Sequence, residues 1–156
     1  MKIKIGDKLP DAKVFMFKTD PKEVSIKEII AGKKTILFGL PGAFTPTCSQ
    51  KHLPGFINAS EEIKKNGIKK DICISIYDPY VRNAWGKSQN LENQIILLAD
   101  VRGEFTKKIG AEFNWRGWWL RSMRYTMLLE NEEIKKLVVE EGKCELTAAD
   151  SFLREI

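Results

Sequence analysis

The sequence predicts an α/β sandwich, a mixed central sheet flanked by helices. Three observations predict it. Short apolar runs of strand length alternate with stretches whose apolar residues recur every three or four positions; two late runs are separated only by residues 130–133, as in an antiparallel hairpin; and a helical stretch follows them.

Residues 14–17 read as the first strand, and residues 25–31 as a helix with Ser25 and Glu28 in capping-box spacing and Gly32 as its stop. Residues 35–40 (TILFGL) are almost wholly apolar, which suits a strand covered on both faces. Over residues 47–65, Leu53, Phe56, Ile57, Ala59 and Ile63 recur at helical spacing until Gly67, which predicts one long amphipathic helix. A strand over 71–77 follows. Asp78 and Pro79 then supply an N-cap and a first-turn proline for a helix to about residue 87. Residues 95–99 read as a buried strand, 104–109 as a short helix, 125–129 and 134–139 as the hairpin, and Thr147 as the cap of a final helix.

With 156 residues, 43% of them hydrophobic, and no compositional break, the chain is expected to form a single domain over 1–156. No stretch approaches the roughly 18 apolar residues of a membrane span, and residues 1–5 alternate Lys with Ile rather than forming a signal-type block. The expectation is a soluble, cytoplasmic protein without membrane contact. The net charge of +5 is carried by lysine pairs scattered among acidic residues, a solvated surface rather than a nucleic-acid stripe. Three widely spaced cysteines argue for reduced thiols rather than a disulfide scaffold. One histidine and no CxxC argue against a metal site, and no cofactor is expected.

The chemistry concentrates in residues 40–56 (LPGAFTPTCSQKHLPGF), which join a buried strand to a helix, a place where ligand and catalytic groups gather. Pro41, Gly42 and Pro46 shape the connection, and Cys48 falls in the first helical turn. Unpaired amides and the positive end of the helix dipole there favour a thiolate over a thiol. A thiolate that attacks a peroxide O–O bond leaves one oxygen on sulfur and expels the other as an anion, so the site needs donors aimed at oxygen. Thr45 is one candidate. A fixed cation would serve both thiolate and peroxide, and Arg121 and Arg124, flanking the start of the late strand, are the two best placed by sequence. The competing reading is a capped turn holding a structural cysteine, since unpaired cysteines are commonly buried as small hydrophobes.

At these residues the sequence resembles the peroxiredoxins, in particular the type II or peroxiredoxin-5-like group. Pro41, Thr45 and Cys48 meet the pattern PxxxTxxC, within the longer string PGAFTPTCSxxHLPGF, and GDKLP, DPYVRNAW, LADVRGEFTKKIG and RSMRY resemble further segments of that group in the same order. The resemblance implies a thioredoxin-like fold and thiol-dependent reduction of hydrogen peroxide and organic hydroperoxides. It implies Cys48 as the peroxidatic nucleophile, Thr45 as the hydroxyl bonding thiolate and peroxide, and Pro41 as a shield against water. It selects Arg124, directly before Tyr125, as the active-site arginine, and it gives His52 either a place in the pocket wall or a dimer contact, with no proton role, or a catalytic role. The sulfenic acid formed on Cys48 requires a second thiol. Cys73 and Cys144 are the internal candidates, and glutaredoxin, glutathione or thioredoxin the external ones. A homodimer is expected. Trp115, Trp118 and Trp119 depart from the group and are expected at a subunit contact or in an apolar wall of the pocket. Two rival readings remain, a thioredoxin-like disulfide oxidoreductase, which lacks its second cysteine because position 45 is Thr, and a catalytically silent redox relay or binding module on the same fold.

Overall fold

The computed structural model describes residues 1–117 and 119–154, and of Trp115 and Trp119 the backbone alone. The sheet is built outward from the apolar run at its centre. After its first residue, β3 (Lys34–Gly39) is buried throughout, and its paired backbone satisfies the polar groups that burial would otherwise strand. It runs parallel to β4 (Lys70–Ser75), and β4 runs parallel to β5 (Ile96–Ala99). Antiparallel strands flank this trio. β1 (Lys13–Phe17) lies beside β5 with β2 (Pro21–Ser25) outside it; β8 (Arg124–Glu130) lies beside β3 with β9 (Glu133–Glu140) outside it. The order β2-β1-β5-β4-β3-β8-β9 is the expected mixed sheet.

Side-chain alternation divides the core into two layers. Leu37 of β3 joins Val14, Ile72, Leu98 and Met127 beneath α1 (Ile26–Ile30) and α5 (Glu104–Ile109). Ile36 and Phe38 point the other way, toward Cys48, Phe56, Cys73, Trp85 and Phe152. Phe38 stacks on Phe56 with ring centroids 4.3 Å apart. The helix starts follow their caps: the Ser25 hydroxyl accepts from the Glu28 amide at 3.4 Å, and Asp78 accepts from the Val81 amide at 2.9 Å to open α4 (Pro79–Ser88).

The single helix expected over 47–65 is instead three pieces: a π-helical turn (Cys48–His52), α2 (Leu53–Asn58) and, after a break at Ala59, α3 (Ser60–Lys65). Pro54 has no N–H to return to the Gln50 carbonyl, which removes an α-type bond at this point. The Leu53 amide bonds instead to the carbonyl of Cys48, five residues back, and both Cys48 and His52 turn inward. The final helix, α6 (Ala149–Leu153), is not capped by Thr147. Ala148 holds the cap position, and Thr147 donates its hydroxyl to Glu140. Edge strand β2 and the separate hairpin of β6 (Glu112–Trp115) and β7 (Trp119–Ser122) are further differences from the sequence expectation. Trp118 and the side chains of Trp115 and Trp119 lie outside the described residues, and so does the expectation attached to them. Among the described residues no helix is long and apolar enough to cross a membrane.

Candidate active site

The strand-to-helix connection after β3 delivers Cys48. Helical conformation begins at Pro46, whose missing N–H costs nothing in a first turn, and the Ser49 amide closes that turn on the Thr45 carbonyl at 2.9 Å. Gly42 lets the loop lie against Tyr77, since a Cβ there would come within 3.0 Å of the ring. The Trp85 indole donates to the Ser49 hydroxyl at 2.9 Å and ties the turn to α4. Cys48 itself is only 1% exposed.

Of the two arginines left open by the sequence, Arg124 meets the cysteine. Its Nη2 donates to Cys48 Sγ at 3.4 Å and its Nη1 to His52 Nδ1 at 2.9 Å. Arg121 donates to the Tyr77 hydroxyl at 2.7 Å and the Ile76 carbonyl at 3.2 Å and lies over the Tyr77 ring, so its charge acts on Cys48 without contact. Arg124 also lines a cleft of about 450 Å³ with Pro41, Thr45, Pro46, Thr47, Phe113, Met123, Glu140, Glu141 and Gly142. The Thr45 hydroxyl donates to the Gly42 carbonyl at 2.6 Å, and Pro41 and Thr45 stand in the cleft wall.

His52 is the partner that orients Arg124. Because guanidinium only donates, Nδ1 must accept, which puts the ring proton on Nε2, 3.3 Å from the Thr126 hydroxyl. Burial, reinforced by the Arg124 charge, lowers its pKa from 6.5 to about 3. Near neutral pH the ring is therefore neutral and cannot act as a proton donor of the imidazolium kind. This shift has a consequence for stability: the unfolded chain binds a proton below about pH 6.5 that the folded chain refuses until about pH 3, so stability falls as pH drops through that interval. Buried Asp71, whose pKa burial raises well above its usual value, works in the opposite sense. Urea unfolding of wild type and His52→Gln at pH 7, 6 and 5 separates the two. The difference between the proteins is expected to change by up to about 1.4 kcal/mol per pH unit in this range; parallel pH profiles would show that His52 is not excluded from protonation.

The remaining cysteines are buried apart from this contact, and no two cysteines are joined. Cys73 lies in β4 with neighbours on both sides, and burial raises its thiol to about 11, opposed by Arg82. Arg82 is 1% exposed; its Nη2 donates to Cys73 Sγ at 3.3 Å and to the Cys73 carbonyl at 2.8 Å. Cys144 sits in the segment after β9, its pKa raised by burial, with its sulfur 3.7 Å from the Thr147 hydroxyl. That segment is gathered by Glu140, which accepts from the amides of Glu145, Leu146 and Thr147 at 3.0, 2.7 and 2.9 Å and from the Thr147 hydroxyl. Burial would raise the Glu140 carboxyl, but these bonds outweigh it and lower its pKa to about 2.

Glu140, Thr126, Tyr77 and Arg82 were not singled out in the sequence. Glu140 did leave a signal: it follows Val138 by two residues on β9, and Val138 packs on the core layer that holds Cys48. Among the described residues no group of three His, Cys, Asp or Glu side chains could hold a metal ion.

Residues 4–153 match the Redoxin family. The chain is 45% identical over 147 residues to chloroplastic peroxiredoxin-2E of Arabidopsis thaliana, covering 90% of this chain and 63% of that one. It is 41% identical over 159 residues to peroxiredoxin-2D of the same plant, covering 99% and 98%. Reduced Prx3 from Vibrio vulnificus, solved in complex with hydrogen peroxide, superposes with a TM-score of 0.93 at 38% identity, covering 97% of this chain and 98% of that one. An arginine held on a buried first-turn cysteine, in a thioredoxin-like fold that these proteins share along nearly the whole chain, places this protein in the redoxin family as a type II peroxiredoxin, a thiol-dependent peroxidase.

Proposed function

We propose that Cys48 is the peroxidatic nucleophile and that the protein reduces hydrogen peroxide and organic hydroperoxides in the cytoplasm. The observation that carries this reading is the Arg124 guanidinium 3.4 Å from Cys48 Sγ, in a residue that also lines the adjoining cleft. The sulfur attacks the terminal peroxide oxygen, the O–O bond breaks, and Cys48 becomes a sulfenic acid. The second oxygen leaves as water or alcohol, taking its proton from solvent because His52 is neutral. Arg124 offers charge to both sulfur and departing oxygen, and Thr45 exchanges its bond to Gly42 for one to the peroxide. Pro41 keeps water from the sulfur. The apolar side chains of Phe113 and Met123 in the cleft suit an alkyl group on the hydroperoxide.

An external thiol then condenses with the sulfenic acid, releasing water and leaving a mixed disulfide that a second thiol reduces. Glutathione with glutaredoxin, or thioredoxin, supplies these thiols. The burial of Cys73 in a central strand and the tethering of Cys144 by Glu140 favour this route over an internal disulfide. The protein acts as a homodimer; exposed Phe44, next to Thr45 and held at a φ of +61°, supplies an apolar contact beside the active site.

The test is mass spectrometry after one equivalent of hydrogen peroxide with a sulfenic-acid trap such as a cyclic 1,3-diketone present. A single adduct on Cys48 is the expected product. An adduct confined to Cys73 or Cys144 would refute the assignment, while a Cys48–Cys144 or Cys48–Cys73 disulfide would keep Cys48 and replace the external thiol by an internal one.

A further inference from the structure

The contacts around Arg124 do not end at His52. The Thr126 hydroxyl, which faces His52 Nε2 at 3.3 Å, donates to the Thr147 carbonyl at 2.8 Å. Thr147 is held in turn by Glu140 through both its amide and its hydroxyl. A continuous chain of buried polar groups thus runs from the Cys48 sulfur through Arg124, His52, Thr126 and Thr147 to the Glu140 carboxylate. The strand register supports it from the other side, because Arg124 and Glu140 are directly paired residues of β8 and β9.

We propose that Glu140 is a positioning residue of the peroxidase site: its carboxylate fixes the Thr147 carbonyl, and through Thr126 and His52 this fixes Arg124 on the sulfur of Cys48. The inference rests on the Cys48 and Arg124 reading given above. The physical argument is one of degrees of freedom. A guanidinium with two ring or sulfur partners can still swing if the imidazole it leans on rotates, and apolar contacts with Phe38 and Phe56 alone do not choose between the two faces of that imidazole. The choice is made by the Thr126 hydroxyl as acceptor at Nε2, and that hydroxyl stays oriented because the Thr147 carbonyl it donates to lies on backbone that an anion gathers. The negative charge also acts on His52 directly, opposing part of the effect of burial and Arg124 on the ring. The same bonds hold residues 145–147 and so keep the neighbouring Cys144 enclosed, which makes one carboxylate responsible for the order of the site and for the silence of a second thiol.

The chain has one histidine, so its imidazole nitrogen resonances are assigned without ambiguity and report the ring's tautomer and partners. In Glu140→Gln, with folding confirmed by circular dichroism, those resonances are expected to shift, the rate of Cys48 oxidation by hydrogen peroxide to fall about tenfold, and Cys144 to react faster with a thiol reagent. Thr147→Val is the milder variant, removing one hydroxyl while leaving the carboxylate and the three amides. It is expected to move the resonances and the rate in the same direction by a smaller factor, and it decides the matter should Glu140→Gln fail to fold. Wild-type resonances and wild-type oxidation rate in a folded variant would overturn the proposal even if Cys144 became reactive. Failure of the underlying reading looks different: Cys48 would not be the oxidised residue in the wild type.

Discussion

Cys48→Ser is expected to reduce thiol-dependent peroxide consumption to background, a loss on the order of a thousandfold or more. Serine keeps nearly the shape of the side chain, and the 1% exposure of Cys48 means that no surface is altered. What disappears is the only step that breaks the O–O bond, because a hydroxyl at this position has neither the nucleophilicity of sulfur nor a stable singly oxidised state. Cys73→Ser and Cys144→Ser serve as controls. Neither sulfur touches Arg124, so both variants should retain the first oxidation at its wild-type rate. Peroxide consumption followed with an excess of reducing thiol distinguishes these cases. Turnover persisting in Cys48→Ser would transfer the chemistry to another cysteine and leave Arg124 without its assigned role.

The parts of this protein legible in the sequence are those set by short-range pattern. The apolar runs gave β3, β4 and β5 within a residue or two, Asp78 and Pro79 marked α4, and residues 104–109 are α5 as expected. β2 was not legible because an edge strand of composition PKEVS buries only its last residue and begins with a proline, so neither alternation nor propensity singles it out. The break at Ala59 was invisible for the opposite reason. Phe56 in α2 and Ile63 in α3 serve the same core layer, so the apolar periodicity runs through the interruption unchanged.

The site divides in the same way. Pro41, Thr45 and Cys48 are close in sequence and were readable as one unit, whereas Arg124 lies 76 residues from Cys48 and could be narrowed only to two arginines until resemblance chose between them. The physical discriminator is strand register. Arg124 shares a face of β8 with Thr126 and Leu128, toward the layer that holds Cys48, while Arg121 belongs to the separate hairpin and is spent on Tyr77. The bond from Thr126 to Thr147 depends on how the segment after β9 folds back onto β8, and the gathering of residues 145–147 by Glu140, though short in sequence, is an irregular turn that follows no helix or strand period.

Arg124→Met should cost two to three orders of magnitude in the rate of Cys48 oxidation, the usual effect of removing a fixed donor from the place where negative charge develops. Methionine matches the length and apolar volume of the arginine stem, so the loss reports the charge and the two hydrogen bonds rather than a cavity. Stopped-flow tryptophan fluorescence can follow the reaction, since the Trp85 indole is bonded to Ser49, the residue after Cys48. Arg124→Lys should recover only part of the rate: an ammonium restores the charge but not a planar fork that spans Cys48 Sγ and His52 Nδ1 together. Arg121→Met is the sharper comparison, because that cation also acts on Cys48 but only through space, and its loss should cost about tenfold or less. Equal losses in the two methionine variants would mean that net positive charge near the sulfur is what matters, and the contact geometry of Arg124 would carry no special weight. A loss confined to Arg124→Met, with partial recovery by lysine, would make the 3.4 Å contact the origin of the rate.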